Sequence, residues 1–370
     1  MHVAVLGAGY AGVALARKLE DRLPDADLTV VDERDTHLVQ HLVHRAVRYP
    51  GVADELTVPF GELFDRATHR QARVTGLDPD AGRAELADGE LEFDVGAVAL
   101  GARTNFYDIP GLEANSTPLK RLEHAERIRE RFLEVCVDGG RTVVGGAGLS
   151  GVQVAGELAA LADQEGSDAE VVLLEQEPTV APSFPDRFRR AVREELDDAG
   201  VDVRTGRTVT GVDEDAVAFE GHGELTHDQI VWTGGITGSE PLGERPVVRA
   251  TLRLGDSTFA VGDAARVVDE DGEAVPASAQ TAVREADVAA TNIGRLAAHR
   301  RDGDGFEPRL ARYGYTSLGW LVSVGDGAVA QVGPTVLRGR AAETAKETVA
   351  AGYLGSLGAV DRAMGYVQEH

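Results

Sequence analysis

Cysteine is nearly absent: the 370 residues contain one, Cys136. A single thiol excludes an internal disulfide and any Cys-x-x-Cys redox pair. Lysine is scarce too. Lys18, Lys120 and Lys346 are the full set, so arginine supplies nearly all the positive charge. Against 37 Lys and Arg stand 62 Asp and Glu, giving a net charge of −25 and a pI near 4.8. That balance argues against nucleic-acid binding, because phosphate contacts need clustered cations. An acidic, lysine-poor chain resembles halophilic proteins, whose dense carboxylates keep the surface hydrated; in dilute buffer the same charge repels itself and weakens the fold. No apolar run approaches the ~20 residues of a membrane span. The apolar N-terminus lacks a basic flank and carries a glycine motif, which is not the pattern of a signal peptide. A cytoplasmic protein is expected.

Glycine, by contrast, is plentiful, and several glycines fall in two similar turns. HVAVL (2–6) reads as a buried strand, followed by GAGYAG, a helix AGVALARKLEDRL and a second strand DLTVVDERD ending in acid. This is a strand–turn–helix–strand unit. EFDVGAVAL (92–100) reads as a later buried strand running into GART. After Pro110-Gly111 comes a helical stretch, LKRLEHAERIRERFLEV, then the strand RTVVGG, and the unit repeats as a glycine turn, the helix VQVAGELAALA and the strand AEVVLLEQE. DQIVWT (228–233) closes the second half at Gly234-Gly235, and STFAVGDAA (257–265) follows it. The tail holds an apolar segment, YTSLGWLVSVGDGAVAQVG, and a helical one, RAAETAKETVAAGYLGSLGAV.

In the first turn Gly7 permits the tight exit from the strand, Gly9 lets backbone approach a pyrophosphate, and Gly12 lets helix pack on sheet. The helix N-terminus then offers free N–H groups and partial positive charge to phosphate. Asp32 stands at the end of the second strand, where a carboxylate accepts ribose hydroxyls. Gly146, Gly148, Gly151 and Glu175 repeat the set. A carboxylate at Glu175 suits an unphosphorylated ribose and repels a 2′-phosphate, favouring NADH over NADPH. Two such sites imply a resident flavin and a visiting nicotinamide, with a hydride passed between them.

These motifs resemble the two-dinucleotide-binding flavoprotein superfamily, and within it the type II NADH dehydrogenases, single-subunit NADH:quinone oxidoreductases. The resemblance implies an α/β fold: an FAD domain (1–112 and 246–310), an inserted NAD(H) domain (113–245) and a small C-terminal α+β region (311–370). It adds Tyr10, Ala11, Glu33 and Ala102 to the FAD set, and matches FAVGDAA to the late FAD motif, in which Gly262 and Asp263 meet the flavin's ribityl and pyrophosphate. It places Gly235 close to the nicotinamide or flavin. DTHLVQHLVHRAV (35–47) matches the segment beside the flavin, where disulfide reductases carry their redox cysteines, and this chain has none. PASAQTAVREADVAATNI (276–293) matches the segment whose Ala-Gln pair, here Ala279 and Gln280, lies near isoalloxazine and quinone.

Three departures stand out. Arg284 occupies the place of a second Gln. Gln153 replaces a Glu of the nicotinamide-site helix that is linked to proton movement, with Glu157 following one turn later. The tail shows no extended amphipathic anchor. The expected reaction is reduction of FAD by NADH and of a quinone by the flavin, with Gln280, Gln153, Glu157 and His41 as the side chains nearest the chemistry. The expected partners are NADH, a quinone, a peripheral contact at the cytoplasmic membrane face and a second copy in a homodimer.

Plainer readings stand beside these. His37, His41 and His44 have helical spacing and suit a metal site or, better, a pocket wall beside the flavin; no metal is expected. Cys136 reads as packing. Lys346 matches a basic residue near the relatives' tail, or is a solvated helix charge. A sulfide:quinone oxidoreductase shares the fold but needs cysteines to carry sulfur. An NADH:ferredoxin-type reductase docks by surface charge, and an acidic partner would be repelled here. A flavin-binding redox sensor is the alternative from another class.

Overall fold

The structure, a computed structural model, describes residues 1–221, 223–303 and 305–368. The chain forms two compact units, each assembled from three segments: Met1–Leu38, Thr57–Arg103 and Ile236–Thr316 in the first, and Val39–Leu56, Thr104–Gly235 and Ser317–His370 in the second.

Unit 1 is built on a five-stranded parallel sheet. Its spatial order is Thr258–Ala260, Val95–Val98, His2–Leu6, Asp27–Asp32, Thr68–Gln71. The central strands are near-continuous apolar runs because both faces of such a sheet are covered. On one side lie the helix Tyr10–Arg22 and the long helix Ala279–Asp302, packed against each other. The long helix starts at a capping box, Ser278 with Thr281, and ends at Gly303 in the left-handed conformation. The other face packs on a three-stranded antiparallel sheet (Val74–Asp78, Arg83–Leu86, Gly89–Glu92), with Leu6, Val31, Ala84, Leu91 and Phe93 in one core.

Unit 2 repeats this plan. Its parallel sheet runs Thr117–Pro118, Gln229–Trp232, Arg141–Gly145, Glu170–Leu174, Asp202–Arg204. Its antiparallel sheet, Val209–Val212, Ala216–Phe219 and Glu224–Thr226, packs on one face through Val143, Val172, Val217, Leu225 and Ile230. Both antiparallel sheets carry a register shift at the same point, Val74/Gly76 and Val209/Gly211.

On the second unit's helix, Leu149–Glu165, Gly156 meets the backbone of Val324 and Gly325, the turn of a hairpin formed by Trp320–Val324 and Gly327–Val332. A side chain there would hold the hairpin off. A third strand, Thr335–Arg338, and the helices Arg340–Ser356 and Val360–Gln368 complete the C-terminal region. Unit 2 thus takes in this region and the segment Val39–Leu56, whose short helix Arg45–Arg48 packs on Leu149–Glu165.

The histidines do not share a helix. His37 lies in the strand Thr36–Leu38, His41 in a 3-10 turn, and His44 at the residue before Arg45–Arg48, so the three do not line one helix face.

Candidate functional site

In unit 1, Gly7 leaves its strand with φ 102° and donates its N–H to Val31 O at 2.7 Å. Gly12 sits against the carbonyl oxygen of Gly7, and a methyl group at either position would collide with backbone. Gly9 differs: nothing lies within 4 Å of where its Cβ would be. The helix begun by Tyr10 and Ala11 has no side-chain cap, so its first N–H groups face that open space. Closed at Gly7 and Gly12 and open at Gly9, the turn fits a pyrophosphate.

Asp32 does more than wait for a ribose. One carboxyl oxygen takes the Ala8 N–H at 2.7 Å and the other the Arg34 N–H at 3.0 Å. Burial raises its pKa, and the two backbone hydrogen bonds oppose that shift. A carboxylate has about four lone-pair sites, so capacity for hydroxyls remains. Glu33 pairs with Arg73 at 3.1 Å on the surface. His37 donates from Nδ1 to Ala8 O at 3.1 Å and meets the Tyr10 ring edge-on, and burial lowers its pKa to about 4.

The late motif lies against the same turn. Gly262 has φ 65°, and a Cβ there would come within 3.1 Å of Ala11 Cβ and 3.4 Å of Ala282 Cβ. Gly262 N–H donates to Glu285 Oε2 at 2.6 Å, while Arg245 donates to the carbonyl oxygens of Asp263 and Ala265, each at 2.7 Å. Burial pushes Glu285 up to about 7, against the lowering effect of the Gly262 N–H. Sequence reading missed Glu285 and Arg245; the only signal was charge beside the motif. Gln280 is half-buried at the second position of the long helix, and Ala102 is half-buried in the strand Ala102–Thr104.

Unit 2 repeats the turn closely. Gly146 has φ 92° and donates to Leu174 O at 2.8 Å, Gly151 sits against Gly146 O, Gly148 is open, and the helix start is again uncapped. Glu175 takes the Ala147 N–H at 2.8 Å and the Glu177 N–H at 3.0 Å. Gly235, φ 138°, lies just past the end of Gln229–Trp232. This turn fits a second dinucleotide.

Behind the second turn, the helix carries Gln153 and Glu157 into a buried polar cluster. Glu157, 0% exposed, pairs with Arg45 at 2.8 Å, and its Oε2 has no hydrogen-bond partner. Burial raises its pKa, with Arg45 and Lys346 opposing the shift. Lys346 is 9% exposed, so the solvated-charge reading fails; burial lowers its pKa to about 7. Gln153 Nε2 lies 3.4 Å from His44 Nε2, which is 3.0 Å from Ser323 Oγ. His41 meets Tyr353 edge-on. Arg45 was not foreseen, since its partner is 112 residues away.

Gln153, Glu157 and His41 thus belong to unit 2, and Gln280 to unit 1. Among the described residues, no group of His, Cys, Asp and Glu could hold a metal ion. The Cys136 thiol is pushed up by partial burial.

Comparison with known proteins agrees with this geometry. A type II NADH:quinone oxidoreductase of Staphylococcus aureus (strain NCTC 8325 / PS 47) is 26% identical over 329 residues, covering 80% of this chain and 82% of that one. Among solved structures, NDH2 of Plasmodium falciparum in complex with NADH aligns with a TM-score of 0.84 at 14% identity, covering 99% and 97% of the two chains. The sulfide:quinone oxidoreductase of Aquifex aeolicus aligns at 0.80 and 18% identity, covering 98% and 92%. The model of one family, the pyridine nucleotide-disulphide oxidoreductases, matches residues 1–286, and the chain belongs to that family.

Proposed function

We propose that this chain is an FAD-dependent NADH:quinone oxidoreductase of the type II, non-proton-pumping kind. The observation that carries the reading is the pair of matched turns, each with an open middle glycine, an uncapped helix start and a carboxylate at the next strand end. FAD, when bound, accepts a hydride from NADH and returns two electrons to a quinone. The chain's own work is binding and orientation. The first turn with Gly262, Asp263 and Ala102 holds FAD, and Tyr10, Ala11 and Glu33 flank it. The second turn, Glu175 and Gly235 hold NADH, the carboxylate of Glu175 disfavouring a 2′-phosphate. Gln280 lies near the flavin and the quinone head; Gln153, Glu157 and His41 govern protons and polarity in unit 2. The lone cysteine speaks against sulfide as donor.

Quinones dissolve in membranes, yet no described helix is long and apolar enough to cross one. We place a peripheral membrane contact, at the cytoplasmic face, on the exposed Val349, Val360 and Met364 of the last two helices. Flotation with liposomes supports this if the protein rises with them. A homodimer through that surface is the reading favoured if it stays behind and sediments as two copies.

The decisive test of the reaction is anaerobic. NADH, and not NADPH, should bleach the flavin absorbance, and a short-chain quinone should restore it at a catalytic rate. Bleaching without restoration moves the acceptor to a protein such as a ferredoxin, or the role to a redox sensor. A flavoprotein that NADH never bleaches ends the assignment.

A further inference from the structure

The sheet of unit 2 reverses its strand order between Arg141–Gly145 and Gln229–Trp232, and in open α/β sheets ligands lie outside the carboxyl ends of the strands at that reversal. Glu175 marks the adenosine side, at the end of the neighbouring strand, and the helix start at Gly148 marks the pyrophosphate. The rest of the dinucleotide therefore runs past Gly146 toward Thr233–Gly235. A methyl group on Gly146 would sit 2.7 Å from Gly234 Cα, so these strand ends touch and set the crevice floor.

At that end stands Tyr107. Its phenol oxygen lies against Gly235, whose φ of 138° and lack of a side chain leave room for it. The residue is 54% exposed. Its backbone is left-handed, φ 52°, and so is that of Asp108, also φ 52°. Two adjacent non-glycine residues in that region crowd Cβ against carbonyl oxygen and persist only where their surroundings over-determine them.

The surroundings here do so. Asn105 N–H donates to Gly235 O at 3.1 Å, Tyr107 N–H to Asn105 Oδ1 at 2.8 Å, Trp232 Nε1 to Asn105 O at 2.8 Å, and Ile109 N–H to Phe106 O at 3.0 Å. The loop packs Phe106 and Ile109 on the core of unit 2, but the Tyr107 ring between them is left half in solvent. The strained loop thus also stands an aromatic ring with a hydroxyl on the strand end.

We propose that Tyr107 forms the outer wall of the nicotinamide subsite, contacting the nicotinamide half of NADH and leaving the adenosine half alone. This rests on reading the second turn as the NADH site. The test compares two ligands on the flavin-loaded protein by titration calorimetry. NAD+ carries the nicotinamide; ADP-ribose has the same adenosine and pyrophosphate without it. Tyr107→Ala should weaken NAD+ about tenfold, the scale of one aromatic contact, and leave ADP-ribose within about twofold. Tyr107→Phe, which keeps the ring, should recover most of the lost affinity. Equal weakening of both ligands, or of neither, overturns the proposal. If the unsubstituted protein binds no ADP-ribose, the nucleotide reading of the turn falls first and Tyr107 with it.

Discussion

Residues 7–32 and 146–175 place the same backbone in two settings. The exits from the strand agree (φ 102° and 92°), the middle glycines are both open, and the closing glycines both lie on the carbonyl oxygen of the first. The helices then diverge. Nine residues after the middle glycine, one carries Lys18, in a surface pair with Asp287, and the other carries Glu157, buried against Arg45. The carbonyl of the second turn residue also finds different donors: His37 Nδ1 serves Ala8, and the Ala181 N–H serves Ala147 at 2.8 Å. The inner surface of the motif is fixed by backbone geometry. Its outer surface is free, and there each half acquires its own neighbours.

The strongest way to break the comparison is to fill the closing glycines. Gly12→Val should yield protein without flavin colour. Gly151→Val should keep the colour and raise the KM for NADH by about a hundredfold or more. The ratio of flavin to protein absorbance reads the first, steady-state kinetics the second; colour lost in both would mean that the turns do not act separately. Next come the helices' outer charges. Glu157→Ala removes the carboxylate that pairs with buried Arg45 and should cost about 3–5 kcal/mol in urea unfolding, whereas Lys18→Ala should cost under about 1 kcal/mol. Equal costs would erase the contrast.

A third test uses acid. His37 is held neutral in the fold, with its pKa near 4 against an ordinary 6.5, so between those values the unfolded chain binds more protons than the folded one. The His37 contribution to stability should therefore fall as pH drops from about 6.5 toward 4, by about 3 kcal/mol, while Glu285, raised to about 7, acts in the opposite direction. His37→Gln should remove the His37 share of the pH dependence; Ala181, a backbone donor, gives the second turn no counterpart. The smallest effect sharpens the parallel between carboxylates. Glu175→Ala should reduce the preference for NADH over NADPH about tenfold with flavin content unchanged, and Asp32→Ala should act on FAD retention instead.

Much of this was legible because it is local. A strand, a glycine turn and a helix lie within about twenty residues, and their order is written in apolar periodicity. A longer echo was also available: VTGLDPD (74–80) and VTGVDED (209–215), each followed by a Gly-Glu-Leu, are the two antiparallel sheets. What stayed hidden depends on distance or dihedral angle. Arg45 and Glu157 meet across 112 residues, Glu285 folds back under Gly262, and nothing in the letters of Tyr107-Asp108 announces a left-handed backbone. Spacing also misled: 37, 41 and 44 fit a helix, and the chain there makes a strand, a 3-10 turn and the residue before a short helix.

The three-segment build of each unit also bears on how the chain is made. Unit 1 takes an edge strand and its long helix from Ile236–Thr316, and unit 2 takes its hairpin and last helices from beyond residue 316. When a ribosome has released residue 235, both sheets have their glycine turns and neither unit is whole. Unit 1 is whole only once residue 316 is made, and unit 2 only beyond it, so neither unit completes early in synthesis. Apolar strands made early must wait for partners made late, a period in which a chaperone, or the early arrival of a nucleotide, would matter most.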